Sequence, residues 1–406
     1  MTGLAPLEGI RVVEVAGWMA SPGAAAIFAD MGADVVKVEP PRGDPVRGVL
    51  RQPARPPGAV PLDAGYQMDN RGKRGVAIAV NTSQGQELVR SLTANAHVFI
   101  TNLLGQRQEK YGLDSATLLA LNPRLVHATL SGYGLTGPDA ARPGFDITAF
   151  FGRGGITHSI TEPGSQAPRA RPAQGDHAAA LGLTTAILAA LRLVERTGEG
   201  QVVDASLLAT AAWTMSTDLS STLVDGQNPP VLGRRGRFHA LQESFRTADD
   251  RWVLLFMPEP HWWPRFCAAV GRPEWANDAR FETVVSRREH MSEITDLMDA
   301  LFAGRPLAAW GELFDSHGFT WAPAATVAEF AADPQAAAVG LFPEVTHPTA
   351  GTFRTVAAPV TVRGADIQPR GAAPDLGQHT AEVLAELGLS ADEVTALEAA
   401  GVIALG

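Results

Sequence analysis

The chain has 406 residues, 45% of them hydrophobic and 19% charged, with a net charge of −10 from 33 basic and 43 acidic side chains. That length exceeds one compact core, the composition excludes a disordered chain, and the acidic balance argues against nucleic acid as a partner. The single cysteine, Cys267, excludes an intrachain disulfide framework and a thiolate metal cluster; within Phe266–Val270 it reads as buried filler.

Ile10–Val15 is β-rich, Gly23–Met31 is an alanine-rich helical stretch, and Asp34–Val38 is β-rich again. Two strands around one helix make a parallel βαβ unit, because parallel strands need a crossover. The turn after the first strand lacks the G-x-G-x-x-G spacing, so neither a nicotinamide nor a flavin dinucleotide is expected despite the Rossmann-like layering. The alternation continues with strands at Val76–Val80, His97–Thr101 and Arg124–Leu130 and helices at Ser83–Ala94 and Ala116–Leu121. A glycine-rich region follows, then a long apolar helix from about His177 to Glu195, stopped by Gly198 and Gly200. From Phe245 the texture changes to a strand, Arg251–Phe256, and helices near 261–270, 289–303 and 307–315; the last segments read as β-rich before two short helices. The expectation is an α/β fold: a Rossmann-like parallel-sheet large domain, 1–225 completed by 330–406, and a smaller α+β domain, 226–329. With no run of about 18 uninterrupted apolar residues and no basic-then-apolar leader, a cytoplasmic protein without a membrane partner is expected.

Between Lys37 and Arg74 lie eight basic residues (Lys37, Arg42, Arg47, Arg51, Arg55, Arg71, Lys73, Arg74) against four acidic ones. Such a patch on an acidic protein suits a small polyanion, although on charge alone a solvated proline-rich loop is the plainer reading. Asp176 precedes an apolar helix, where aspartate is a favoured N-cap. It is also a candidate nucleophile, since a helix N-terminus favours the ionised carboxylate. Gly154 and Gly155, in a Gly-Arg-Gly-Gly loop, are candidate oxyanion donors, with an ordinary turn as the alternative. His158 and His177 are candidate acid–base groups, and the remaining histidines form no metal-binding pattern, so no metal is expected. Trp18, Phe145, Phe150, Phe151, Trp213 and Trp262–Trp263 are candidates either for an apolar acyl pocket or for core packing.

Several segments together resemble the class III CoA-transferase family, which also contains the α-methylacyl-CoA racemases. They are Pro6–Glu14, Met31–Asp44, Asn70–Arg74, Ser131–Pro138, Pro143–Asp146, Gly175–Asp176, Gly198–Asp204 and Leu376–Thr380. The resemblance implies an interlocked ring-like homodimer that moves coenzyme A from an acyl-CoA donor to a carboxylic acid acceptor. Asp176 would pass through a mixed anhydride and an aspartyl-CoA thioester. Trp18, Lys37, Arg42, Arg71, Lys73, Arg74, Asn102 and Lys110 would bind coenzyme A, the basic ones facing its phosphates. The racemases carry a histidine where Phe145 stands, and a phenyl ring moves no proton, which favours transfer over racemisation. Met257–His261 resembles the racemase segment whose glutamate supports that histidine, making Glu259 a pocket residue or a loop carboxylate. His177 could substitute as a base. A racemase and a non-catalytic CoA-binding protein, with Asp176 only capping its helix, stay open as alternatives.

Overall fold

The computed structural model describes residues 3–48, 62–236 and 239–406. It divides into two compact units, Met1–Ser159 with Pro168–Gln227 and Gln335–Gly406, and Ile160–Ala167 with Asn228–Pro334.

The first unit is built on a parallel sheet. Its strands are β1 (Arg11–Val15), β2 (Asp34–Glu39), β3 (Arg74–Ile78), β4 (Val98–Thr101), β5 (Val126–Ser131) and β6 (Gln201–Ser206). Their order across the sheet is β3-β2-β1-β4-β5-β6, so the chain reverses its direction of travel between β1 and β4. Both faces are covered, which is why these strands are apolar runs rather than alternating ones. Neighbouring residues still part company: Val12 enters one core with Val98, Ile100 and Val126, and Val13 enters the other with Val36, Val76 and Phe99.

On the first face α1 (Ala20–Asp30) packs against α7 (Gln174–Thr197). Every residue of α1 is buried, and its run of alanines lets α7 approach closely. A Cβ placed on Gly23 would meet Ala180 Cβ at 3.5 Å. By length and composition α7 is apolar enough to cross a membrane, but Ala179, Ala180, Leu183 and Ile187 line the sheet core. Between α1 and α7 in the chain come α2 (Ala64–Asn70), α3 (Ser83–Ala94), α4 (Gly105–Tyr111), α5 (Ser115–Leu121), a π-helix (Ile147–Gly152) and the single turn α6 (Ile156–Ser159). After β6 follow α8 (Leu207–Thr214) and α9 (Ser216–Asp225).

In the second unit β7 (Ser244–Arg246), β8 (Trp252–Leu255) and β9 (Trp321–Pro323) form an antiparallel sheet over an aromatic core. Phe245 and Phe302 stack with centroids 4.4 Å apart, and Trp310, Phe314 and Phe266 join them. Cys267 lies inside this core, where burial pushes its thiol up to about 12.

The β-rich ending expected for the last segments is slighter in the structure. It amounts to one hairpin, β10 (Glu344–His347) and β11 (Gly351–Arg354), and the two-residue β12 (Ile403–Ala404). β12 pairs antiparallel with β3 and so covers that edge of the parallel sheet.

Candidate active site

A cavity of about 1220 Å³ opens at the carboxyl ends of the parallel strands. Its wall takes Ala79–Asn81 after β3, Pro40–Arg42 after β2, Ala16–Trp18 after β1, Asn102–Leu104 after β4, Leu130–Gly132 at the end of β5 and Leu207 after β6. Such a position, over the point where strand order reverses, is where open α/β sheets bind ligands, since the loops diverge there and leave a crevice.

The reversal point is pinned by one side chain. The Gly17 N–H donates to Asn102 Oδ1 (3.2 Å), and Asn102 Nδ2 donates back to the Gly17 carbonyl (2.7 Å), tying the β1 and β4 loops together. Trp18 takes a left-handed backbone conformation (φ 67°), unusual for a bulky residue, and its N–H donates to Asp44 Oδ1 (3.1 Å).

Asp176 stands on the same wall. It is not the N-cap: the helix begins at Gln174, the capping position is Ala173 in a left-handed turn, and no side chain caps it. The carboxylate therefore sits in the first turn, half-buried. The dipole there favours its charge, but the opposing effects win. Burial and the neighbouring Asp146 carboxylate, against a smaller pull from His177, push the Asp176 carboxyl up to about 7. Asp146 reaches it because Gly175 has no side chain: a Cβ on Gly175 would stand 2.9 Å from Asp146 Cβ and 2.7 Å from Phe150 Cγ. Asp146 Oδ1 accepts the Ile147 N–H (2.7 Å), while its buried Oδ2 has no hydrogen-bond partner.

Of the residues singled out in the sequence, Trp18, Arg42, Asn102, Lys110, Phe145 and Asp176 meet on this wall. Four expected phosphate ligands do not. Lys37 and Lys73 are buried against the two oxygens of Glu14 (3.0 and 2.6 Å), and Arg71 against Asp30 (2.5 Å). Lys37 Nζ also lies 2.9 Å from Asp44 Oδ2, an ion contact without hydrogen-bond alignment. Arg74 holds Asp34, Glu382 and Glu386. Each of these cations is matched by a carboxylate of the same chain, Lys37, Lys73 and Arg71 in the interior and Arg74 nearer the surface. Arg51 and Arg55 lie outside the described residues.

Gly154 and Gly155 are also absent from the wall. Gly154 is a packing contact, its missing Cβ leaving room for Phe150 and for Ala211 of α8. His177 is turned to Asp69 (Nε2 to Oδ1, 2.9 Å), which raises its affinity for a proton and fastens α7 to α2. His158 lies on α6, off the wall. Glu259 belongs to the second unit and accepts the Trp262 indole N–H (2.9 Å). Sequence reasoning missed Asp146, although the motif containing it was quoted, and Arg107. The signal for Arg107 was its place three residues before Lys110 on one helix, which brings both cations to one face. Among the described residues no group of three histidine, cysteine or carboxylate side chains could hold a metal ion.

Residues 7–380 match the model of CoA-transferase family III. An (R)-2-hydroxy-4-methylpentanoate CoA-transferase of Clostridioides difficile is 31% identical, over 96% of this chain and 97% of its own. A succinate–glutarate CoA-transferase of Agrobacterium fabrum is 32% identical, over 94% and 96%. The crystal structure of a CAIB/BAIF family protein from Brucella suis superposes with a TM-score of 0.83 at 30% identity, covering 95% of this chain and 100% of that one. With nearly its whole length matched in sequence and in fold, the chain belongs to CoA-transferase family III and is a CoA-transferase.

Proposed function

We propose that this enzyme moves coenzyme A between carboxylic acids through covalent intermediates on Asp176. The observation that carries this reading is the contrast among the three carboxylates on the cavity wall. Asp44 and Asp146 are each only 3% exposed and accept backbone N–H bonds, whereas Asp176 is half-buried and turned to the cavity. In the first step an Asp176 oxygen attacks the donor's acyl carbon, the C–S bond breaks, and coenzyme A leaves as thiolate. The thiolate attacks Asp176 Cγ, the anhydride C–O bond breaks, and the donor acid departs as its carboxylate. The acceptor carboxylate then attacks the aspartyl-CoA thioester, and the thiolate finally takes the acceptor's acyl carbon, returning Asp176 to its ionised form. Two modest exchanges replace one in which a carboxylate would have to attack and expel a distant thiol unaided.

Arg42, Arg107 and Lys110, the exposed cations on the wall, are the residues we assign to the phosphates of coenzyme A. Racemisation is not favoured: Phe145 lines the cavity where a second base would have to stand. We also propose that the chain works as a homodimer. Supporting this, α7 to α9 present Leu193 (44% exposed), Trp213 (81%), Leu223 (83%) and Val224 (85%) to the outside.

The test is mass spectrometry of the enzyme mixed with a panel of acyl-CoAs and quenched with hydroxylamine or borohydride. A modified peptide containing Asp176, absent from Asp176→Asn, is expected. Unmodified enzyme with every donor that turns over would refute covalent transfer. In deuterated buffer, 2-methylacyl-CoA substrates are expected to gain no Asp176-dependent deuterium at Cα; rapid exchange would identify a racemase.

A further inference from the structure

Of the aromatic residues noted in the sequence, the structure gives most to packing or to other surfaces. Phe150 and Phe151 are core residues, Trp213 faces away from the cavity on α8, and Trp262 and Trp263 belong to the second unit. Trp18 and Phe145 alone among them line the cavity. They come from opposite sides of the reversal point, one after β1 and the other after β5, and meet edge to face with centroids 5.1 Å apart and planes at 84°. Large apolar rings left 37% and 51% exposed inside a concave site are an unspent binding surface.

The backbone beneath them is set for this presentation. Trp18 holds its left-handed φ of 67° because Asp44 accepts its N–H and Asn102 brackets the preceding glycine. Backbone strain of this kind persists only where surrounding contacts over-determine it. Phe145 is held by its own short turn, its N–H donating to Thr148 Oγ1 (3.1 Å) and its carbonyl accepting the Ala149 N–H (2.8 Å).

The charge beside the rings selects as well. Asp146 follows Phe145 directly, and its buried Oδ2 has no partner. The cations of the wall come instead from the loop after β2 and from α4. A second carboxylate on the acyl group would meet Asp146 and Asp176, and none of the wall residues their segments supply is a cation.

We propose that Trp18 and Phe145 form the acyl subsite and that the enzyme takes bulky, apolar acyl groups, aromatic or branched, in preference to dicarboxylic ones. This rests on the CoA-transfer reading for its biological meaning, but it is tested by binding. The probes are unreactive thioether analogues of coenzyme A carrying a 3-phenylpropyl, a 4-methylpentyl or a 3-carboxypropyl group, titrated calorimetrically into the full-length enzyme. The phenylpropyl and methylpentyl analogues are expected to bind about tenfold or more tightly than the carboxypropyl one. Trp18→Gly, which suits the left-handed backbone while deleting the ring, and Phe145→Ala are each expected to lower that ratio about tenfold. Phe145→Leu, which keeps apolar bulk, retains more of it. A wild-type ratio near or below one, a ratio unchanged in both ring-deleting variants, or no binding by any analogue overturns the proposal. The Asp176 adduct is read separately, so loss of the acyl subsite and loss of the transfer mechanism give different results.

Discussion

In the proposed mechanism Asp176 is a nucleophile held back by its surroundings. Burial and Asp146 together push its carboxyl up to about 7, so the protonated form competes near neutral pH with the ionised form that attack requires. The expected pH profile of kcat/KM therefore rises through about pH 7. In Asp146→Asn one negative neighbour is gone, and the acidic limb should move to lower pH. Stability follows the same linkage. The group's proton affinity is higher folded than unfolded, where it lies near 3.8, so the protein loses stability as pH rises from there through 7. Asp176→Asn should consequently raise the melting temperature more at pH 8 than at pH 4, which scanning calorimetry at the two values would resolve. In the sequence the aspartate before an apolar helix was visible, but its environment was not. The carboxylate that perturbs it lies 30 positions earlier in the chain, and only the bare Gly175 lets the two approach.

The strands and helices were easier to read than the charges on them. β1 to β5, α1, α3, α5 and α7 all appear close to where hydrophobic periodicity put them, since burial on both faces leaves long apolar runs. In the basic segment Lys37, Arg71, Lys73 and Arg74 were misread for a physical reason. Their partners lie far away in sequence, Glu14 being 59 positions from Lys73, and composition carries no information on such pairing. Glu14 now emerges as a structural hub, its buried carboxylate joining β1 to Lys37 on β2 and to Lys73 just before β3. Burial draws Lys73 down to about 8 even with Glu14 beside it. Glu14→Gln would leave two buried ammonium groups without their shared counter-charge. A loss of about 3–5 kcal/mol is expected in urea unfolding.

Taken as one molecule, the first unit is a frame whose strand ends all deliver loops to a single crevice. The parallel layering was legible from the βαβ rhythm, but the antiparallel β12 was not, because a two-residue strand has no periodicity to read. The proposed homodimer predicts that Trp213→Glu combined with Leu223→Glu yields a smaller species in sedimentation velocity, while wild type sediments as a dimer. The π-helix at Ile147–Gly152, with Arg153 N–H bonded five residues back to the Thr148 carbonyl, has a consequence for how such a site diverges. A π-turn holds one residue more than the α-turn it replaces, and each residue of an α-helix advances about 100° and 1.5 Å. Deleting a single residue there would rewind the segment and swing Phe145 and Asp146 around its axis together. One codon lost could thus exchange both the apolar wall and the charge beside Asp176, a change of substrate that many separate point substitutions would reach only in stages.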